Sequence, residues 1–437
     1  MLKAYLVPHP PLLVDGIGKG GEVPDTRRAL EEISAEIEKD NPDTLIIISP
    51  HSILYHDYIH IAPGKSASGD FGNFGAGHIK LSVEYDDELA VEIAKTAEFY
   101  ELPAGLEGEK KPELDHGVMV PLAFLGTSRK IVRVSISGLP VPLHYFLGAA
   151  ISKAAKKLNR KIAVIASGDM SHKLKADGPY GLAPEGAEFD ELMQNICRGA
   201  QCASESFFKK LISVSNSLRE KAGECGYLSF VILAGCLDGM SVKSRVLCYE
   251  APFGVGYLTA AFTGEREPES AFVKLARSNI EEYIKTGKVT ELSDGLPKEM
   301  LTQKAGVFVS IKKYGNLRGC IGTIVPTQAN IALEILKNSI SAATEDPRFP
   351  PIGAHELDDL VLSVDVLGAP EAIESADELD VLRYGVIVTS GYKRGLLLPN
   401  LDGVDTVEQQ VGIALQKAGI NKSEPYSLER FEVIRYK

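Results

Sequence analysis

The chain has 437 residues, 44% hydrophobic and 24% charged, which is ample apolar material for a packed core and excludes a disordered chain. Lys and Arg number 47 against 59 Asp and Glu, a net charge of −12, so a nucleic-acid role would need a local basic patch. No apolar run approaches the ~20 residues of a membrane span.

At roughly 150 residues per domain, the length suggests two or three domains. Met1 to Leu13 holds three prolines and lacks the apolar stretch of a signal peptide. The six cysteines, Cys197, Cys202, Cys225, Cys236, Cys248 and Cys320, contain no C-x-x-C pair and resemble neither a zinc motif nor a disulfide framework. These features predict a reduced, cytoplasmic protein without a membrane segment.

Strand-like runs at Ala4–Val7, Thr44–Ser49, Ile131–Ser137, Ile162–Ser167 and Val242–Tyr249 alternate with longer segments. Those segments, Thr26–Lys39, Asp87–Phe99, Leu143–Leu158 and Gly186–Cys197, carry apolar residues at three- and four-residue steps. The alternation predicts an α/β fold, a mostly parallel sheet with helices on both faces. Gly69–Gly77 (GDFGNFGAG) is rich in glycine and reads as a loop and a candidate lid. Gly16, Gly18 and Gly21 spell G-x-G-x-x-G, but Pro8, Pro10 and Pro11 break the preceding run, so the segment reads as an ordinary loop.

The polar stretch Thr263–Ser270 (TGEREPES) marks a boundary between residues 1–264 and 270–437. Beyond it a helix is expected at Ala271–Thr286, with Phe272, Leu275, Ala276, Ile280 and Ile284 on one face. Strands follow at Gly306–Lys312, Leu360–Val366 and Val386–Thr389, and helices at Ile331–Ala343 and Val407–Ala418. That pattern predicts a smaller α+β domain.

Histidines carry the chemical signal. His9, His51, His116 and His172 sit beyond or beside strand-like runs, and Glu250 ends a fifth run. In parallel sheets, loops converge beyond the carboxyl ends of the strands, so such residues can share a pocket. Two histidines and one carboxylate suit the facial triad of Fe(II), with the spare histidines as acid and base. The same set also suits zinc, so the donors alone leave the metal open. His56, His60 and His78 flank the glycine-rich loop, and His144 lies in a helical pattern and reads as structural.

VPHPPLLV, IISPHS, ELDHGVMVPL, ASGDMSH and YEAPFGVGYLTAAF, in that order, resemble the class III extradiol dioxygenase (LigB-like) superfamily and its Memo-like branch. The resemblance implies metal ligation by His9, His51 and Glu250, catalytic roles for His172 and His116, and Fe(II) as cofactor, with another divalent metal as the alternative. It also implies a catechol-like small-molecule substrate and dioxygen. Memo-like proteins are described with a cysteine as third ligand. Cys248 lies two residues before Glu250 and shares its side of the strand, so either is a candidate third ligand.

NLRGCIGTI, ATEDPRFPP and RGLLLPNLDG resemble the AMMECR-type domain. The fusion is similar to the AmmeMemoRadiSam system, which implies a radical-SAM protein partner. Arg318 is a candidate anion clamp and Cys320 a candidate nucleophile, against the reading of a tight packing motif. Asp346 and Arg348 either bind a ligand or pair with each other. Two further functional classes stay open: a non-catalytic metal-binding scaffold, and RNA binding or modification through the AMMECR-type half.

Overall fold

Thr44–Ser49 and Ile162–Ser167 are apolar on both sides, and each forms a strand in which every residue is buried. Such strands belong in the middle of a sheet covered on both faces. The computed structural model describes residues 1–19, 21–111, 113–199, 210–266, 268–314, 316–401 and 403–437. Cys202 lies outside them. The chain divides into two compact units, Met1–Arg266 and Glu267–Lys437.

The first unit begins β1 (Leu2–Val7), α1 (Pro24–Asp40), β2 (Thr44–Ser49), β3 (Ile59–His60), β4 (Ser66–Phe71), β5 (Ala76–Glu84), α2 (Asp87–Phe99) and β6 (Ala104–Gly105). It continues α3 (His116–Leu125), β7 (Lys130–Ser135), α4 (Val141–Lys157), β8 (Ile162–Ser167) and α5 (Pro184–Gly199). The unit closes with α6 (Asn216–Ala222), α7 (Tyr227–Cys236), β9 (Ser241–Glu250) and β10 (Tyr257–Glu265). Its main sheet has the order β7-β2-β8-β1-β10-β9. The first four strands are parallel, and β10 and β9 add an antiparallel edge.

Alternate residues of the strands feed two layers. Tyr5, Val7, Leu45, Ile47 and Ile165 pack with Leu30 and Ile33 of α1 and Val118 and Leu122 of α3. On the other face lies α7, packed against β8, β1 and β2 and covered in turn by α4. Its sequence, YLSFVILAGC, is apolar all round because only Leu228 escapes full burial.

The expected loop at Gly69–Gly77 is instead the tip of the β4–β5 hairpin. Phe71 is fully buried in the core, which supplies the apolar anchor that glycine content alone conceals. Gly75 turns the chain at φ +78°, a conformation that favours glycine. Phe74, next to it, stays 38% exposed.

The second unit comprises α8 (Ala271–Thr286), α9 (Lys298–Thr302), β11 (Val307–Lys313), β12 (Asn316–Gly322), α10 (Ile331–Thr344) and β13 (Leu360–Leu367). β14 (Glu371–Ile373), β15 (Tyr384–Ser390), β16 (Lys393–Leu397), α11 (Val407–Ala418) and β17 (Ser427–Tyr436) complete it. The sheet is antiparallel, in the order β12-β11-β13-β17-β15-β16, with β14 also paired to β17. Phe272 and Ile280 of α8 and Ile335 of α10 bury Val309, Ile311 and Val364. Val411, Ala414 and Leu415 of α11 cover Val386 and Val388.

Candidate metal centre

His9 follows β1 by two residues and His51 follows β2 by two, so two parallel strands on either side of β8 deliver both rings to the carboxyl end of one sheet. Their Nε2 atoms are 3.1 Å apart. His116 is the first residue of α3, whose N-cap Asp115 accepts the Val118 N–H. Its ring stacks on His51 with centroids 4.3 Å apart and stands edge-on to His9 at 5.2 Å. Asp115 also accepts hydrogen bonds from the Ser49 and Ser52 hydroxyls, both at 2.6 Å. One carboxylate thereby ties the His51 loop to the start of α3.

Cys225, in the turn between α6 and α7, completes the cluster from the helical layer. Its Sγ is 3.7 Å from His9 Nε2. The turn is held against the end of β8, where the Asp169 carbonyl accepts the Gly226 N–H at 2.9 Å and the Asp169 N–H meets the sulfur at 3.2 Å. A Cβ on Gly168 would lie 2.1 Å from the Gly226 Cα, so this approach requires glycine. His172, five residues beyond β8, joins the same neighbourhood: its ligand atom, that of Asp169 and the Cys225 sulfur all lie within 4.8 Å of one another. The same limit encloses the ligand atoms of His9, His51 and Cys225.

Burial sets the charge state of these groups. It pushes His9 well below the usual imidazole range, helped by the neighbouring rings of His51, His116 and His172. Burial likewise lowers His51 and His172, and it brings His116 down to about 4 despite the opposing pull of Asp115. Asp169 is pushed up to about 7 by burial, against the stabilising His9 N–H. Burial and the Asp169 charge also push the Cys225 thiol up. Neutral imidazoles are the form a metal ion requires, and a bound cation would reverse the penalty on the thiolate.

Donor spacing tests the fit directly. Tetrahedral bonds of about 2.0–2.1 Å to nitrogen and about 2.3 Å to sulfur separate two nitrogens by about 3.3 Å and a nitrogen from a sulfur by about 3.6 Å. The separations here, 3.1 and 3.7 Å, suit one ion. His51 is exposed, which leaves the cluster open to solvent on that side. Phe74 lies over His116 at 5.4 Å and Tyr180 over His172 at 5.1 Å.

Glu250 is not part of this cluster, and its assignment as third ligand is corrected. Glu250 ends the edge strand β9, and the groups of ligand atoms gathered among the described residues around His9, His51 and His172 do not include it. Its carboxylate accepts the Thr26 N–H and hydroxyl, both at 2.7 Å, and so caps the first turn of α1. Cys248 is corrected with it: the sulfur is 3.8 Å from Thr26 Oγ1, beside a cleft of about 310 Å³ shared with Asp25, Arg28 and Glu32. Cys225 carried a readable signal, a cysteine between Gly223 and Gly226 just before a helix apolar but for Ser229. Asp169 and Asp115, each three or fewer residues from a candidate histidine, were also legible as neighbours.

His144 is fully buried, with its Nε2 accepting the Ser137 N–H at 3.1 Å, a structural role. His60 is buried on β3 beside Tyr55 rather than on the cluster.

In the second unit the candidates engage one another. Arg318 forms a fork on Glu356, with Nε to Oε2 at 3.1 Å and Nη2 to Oε1 at 2.9 Å, and also donates to the Pro350 and Pro351 carbonyls. The Arg318 and Lys313 charges outweigh burial and hold Glu356 down at about 2. Asp346 and Arg348 pair at 2.7 Å. Asp346 also accepts the Cys320 N–H at 2.8 Å, and Arg348 donates to the Cys320 carbonyl at 3.1 Å. The pair therefore occupies the outward backbone groups of edge strand β12, as a neighbouring strand would. The Cys320 sulfur meets Ser310 Oγ at 3.2 Å. The Arg318 guanidinium is fully engaged, and Arg348 commits its Nε and Nη2 to Asp346 and the Cys320 carbonyl, contacts that favour the packing reading of this motif.

Comparisons with known proteins agree with this division. The family described as the catalytic LigB subunit of aromatic ring-opening dioxygenase matches residues 3–261, and the AMMECR1 family matches residues 273–437. The chain is 40% identical to protein CA_C1420 of Clostridium acetobutylicum over 468 aligned positions, covering 99% of this chain and 98% of that one. A Thermotoga maritima protein is 52% identical over 171 residues, 39% of this chain and 98% of its own length. Among solved structures, PH0010 of Pyrococcus horikoshii is similar over 38% of this chain and 88% of its own, with 36% identity and a TM-score of 0.36. JW3007 of Escherichia coli K12 aligns over 60% of this chain and all of its own, at 17% identity and a TM-score of 0.42.

Proposed function

The chain belongs to the LigB family of aromatic ring-opening dioxygenase subunits, joined here to an AMMECR1 domain, and from that premise we propose that its first unit is a metal-dependent dioxygenase. Its substrate would be a catechol-like small molecule, with dioxygen as co-substrate and Fe(II) as the metal. The single observation that carries the reading is the convergence of His9, His51 and Cys225 at bonding separations, with His116 and His172 beside them.

His9, His51 and Cys225 would hold the ion, which when bound supplies Lewis acidity and a template for substrate and dioxygen. The chain's own groups do the remainder. Among the described residues His172 Nε2 is buried without a hydrogen-bond partner, and its neutral ring would accept a substrate hydroxyl proton. His116, neutral and stacked on His51, would offer a ring nitrogen to orient the substrate or dioxygen. Phe74 and Tyr180 offer aromatic faces at the mouth of the cluster.

The Cys225 thiolate is a softer ligand than the carboxylate expected from the sequence, and it brings copper and zinc within the range of the site. That thiol also favours a second reading, a metal-holding scaffold without oxygenase turnover. A radical-SAM partner is proposed on the fusion alone, and co-purification with such a protein tests it. Oxygen consumption by anaerobically Fe(II)-loaded protein across a panel of catechols decides between enzyme and scaffold. Substrate-dependent uptake supports the enzyme, and tight metal binding without uptake supports the scaffold.

A further inference from the structure

We propose that Ser167 is a positioning residue that fixes the tautomer of His9, placing the ring proton on Nδ1 and leaving Nε2 bare toward the cluster. The inference rests on the metal-centre reading for its consequence, while the tautomer itself follows from the hydrogen bonds.

Ser167 is the last residue of β8 and is fully buried, as is nearly all of His9. Its Oγ makes two short contacts, 2.6 Å to the Gly117 carbonyl and 2.9 Å to His9 Nδ1. A backbone carbonyl only accepts, and a hydroxyl has one proton to give. The Ser167 proton is therefore committed to Gly117, and its oxygen accepts at the second contact. The donor there is the Nδ1–H of His9. With the proton on Nδ1, the Nε2 lone pair faces His51 Nε2 at 3.1 Å and Cys225 Sγ at 3.7 Å. Outer partners that fix a ligand's tautomer and orientation are a recurring part of metal sites.

The Gly117 carbonyl is itself held in place. It belongs to the turn opened by Asp115, whose carboxylate is bound by Ser49, Ser52 and the Val118 N–H. A side chain at residue 117 would put its Cβ 2.4 Å from Ser49 Oγ, so the turn approaches β2 only as glycine. One turn, Asp115–Gly117, thus reaches both rings: through Ser49 and Ser52 it steadies the His51 loop, and through Ser167 it orders the proton of His9. Nothing in the sequence spacing links Ser167 to the D-H-G segment, because the contact spans 50 positions.

Long-range proton–nitrogen correlation on the 15N-labelled full-length chain, with and without Zn(II), reads the tautomer directly once His9 is identified by its loss in His9→Gln. The expected wild-type spectrum has a protonated Nδ1 and a bare Nε2. Ser167→Ala should move the proton toward Nε2, while Ser167→Thr, which keeps the hydroxyl, should retain the wild-type form. A Co(II) titration should then show affinity reduced ~10–100-fold in Ser167→Ala, with the sulfur-to-cobalt absorption of Cys225 still present at saturation. A wild-type His9 protonated on Nε2, or a Ser167→Ala tautomer identical to wild type, overturns the proposal. The wild-type spectrum decides even where Ser167→Ala fails to fold. A wild-type chain that binds neither Zn(II) nor Co(II) refutes the metal-centre reading, while the nitrogen signals still decide the role of Ser167.

Discussion

The Cys225 sulfur approaches His9 Nε2 to 3.7 Å across 216 positions of sequence, whereas Glu250, at the end of an edge strand, turns its carboxylate to Thr26. The thiol and the carboxylate therefore have separate settings, the thiol beside the histidine cluster and the carboxylate on the first turn of α1.

Exchanging them one at a time should separate their roles. Cys225→Ser is expected to weaken metal binding by more than the ~10–100-fold of an outer-shell loss. Glu250→Gln should leave metal content unchanged and lower stability by about 1 kcal/mol through the lost charged cap. Metal analysis after equilibrium dialysis, with thermal melts of both variants, reads the two effects. Equal metal loss in both variants would return Glu250 to the ligand set.

His172 offers a sharper division. Under the dioxygenase reading, His172→Ala keeps the metal and slows turnover ~10²–10⁴-fold. Loss of the metal instead would assign His172, with Asp169 and Cys225, to the coordinating set. Parallel measurement of metal occupancy and single-turnover rate separates these outcomes.

Each unit has its own core, so fragments 1–264 and 268–437 should both fold. Cooperative thermal transitions and native-like circular dichroism for each fragment are the expected result. Aggregation of both would show that neither core suffices alone.

Asp190 gives the first unit a pH dependence. It is 1% exposed, accepts the Ser171 N–H and the Tyr249 hydroxyl, and burial pushes its carboxyl up to about 7. Between its unfolded value of 3.8 and about 7 the folded chain holds a proton that the unfolded chain has released. Its contribution is thus fully present below 3.8 and is lost as pH rises through about 7. Asp190→Asn should flatten this slope and gain most in Tm, relative to wild type, at pH 8. An equal difference at pH 5 and pH 8 would show that Asp190 does not titrate in that window.

The sequence reveals most where periodicity is strong. β2 and β8 are apolar bursts, β1 and β7 are nearly so but for Lys3 and Arg133, and α1 and α8 carry one-sided apolar stripes, so they were legible. β17 was not: only Phe431 is fully buried, and charged residues from Glu429 to Arg435 mask a ten-residue strand that joins three others. At the site, His9 and His51 were visible because they directly follow strands. Cys225 arrives from a turn beyond the sheet, and its partner surface at Gly168 is set by tertiary approach rather than by local pattern. The hairpin at Phe71 was hidden for a similar reason, since four glycines outweighed one buried ring.

The Asp346–Arg348 clasp on Cys320 bears on how this chain associates with others. β12 borders its sheet, and a border strand with open amides and carbonyls recruits strands from other molecules. Here the middle of that border is already taken by side chains from the same chain, so an incoming strand cannot run past Cys320 in register. Any partner recognised there would have to read side chains and shape instead of zipping onto the backbone. Asp346→Ala should reopen the border, and concentration-dependent light scattering that rises above wild type is the expected signature of the self-association this clasp prevents.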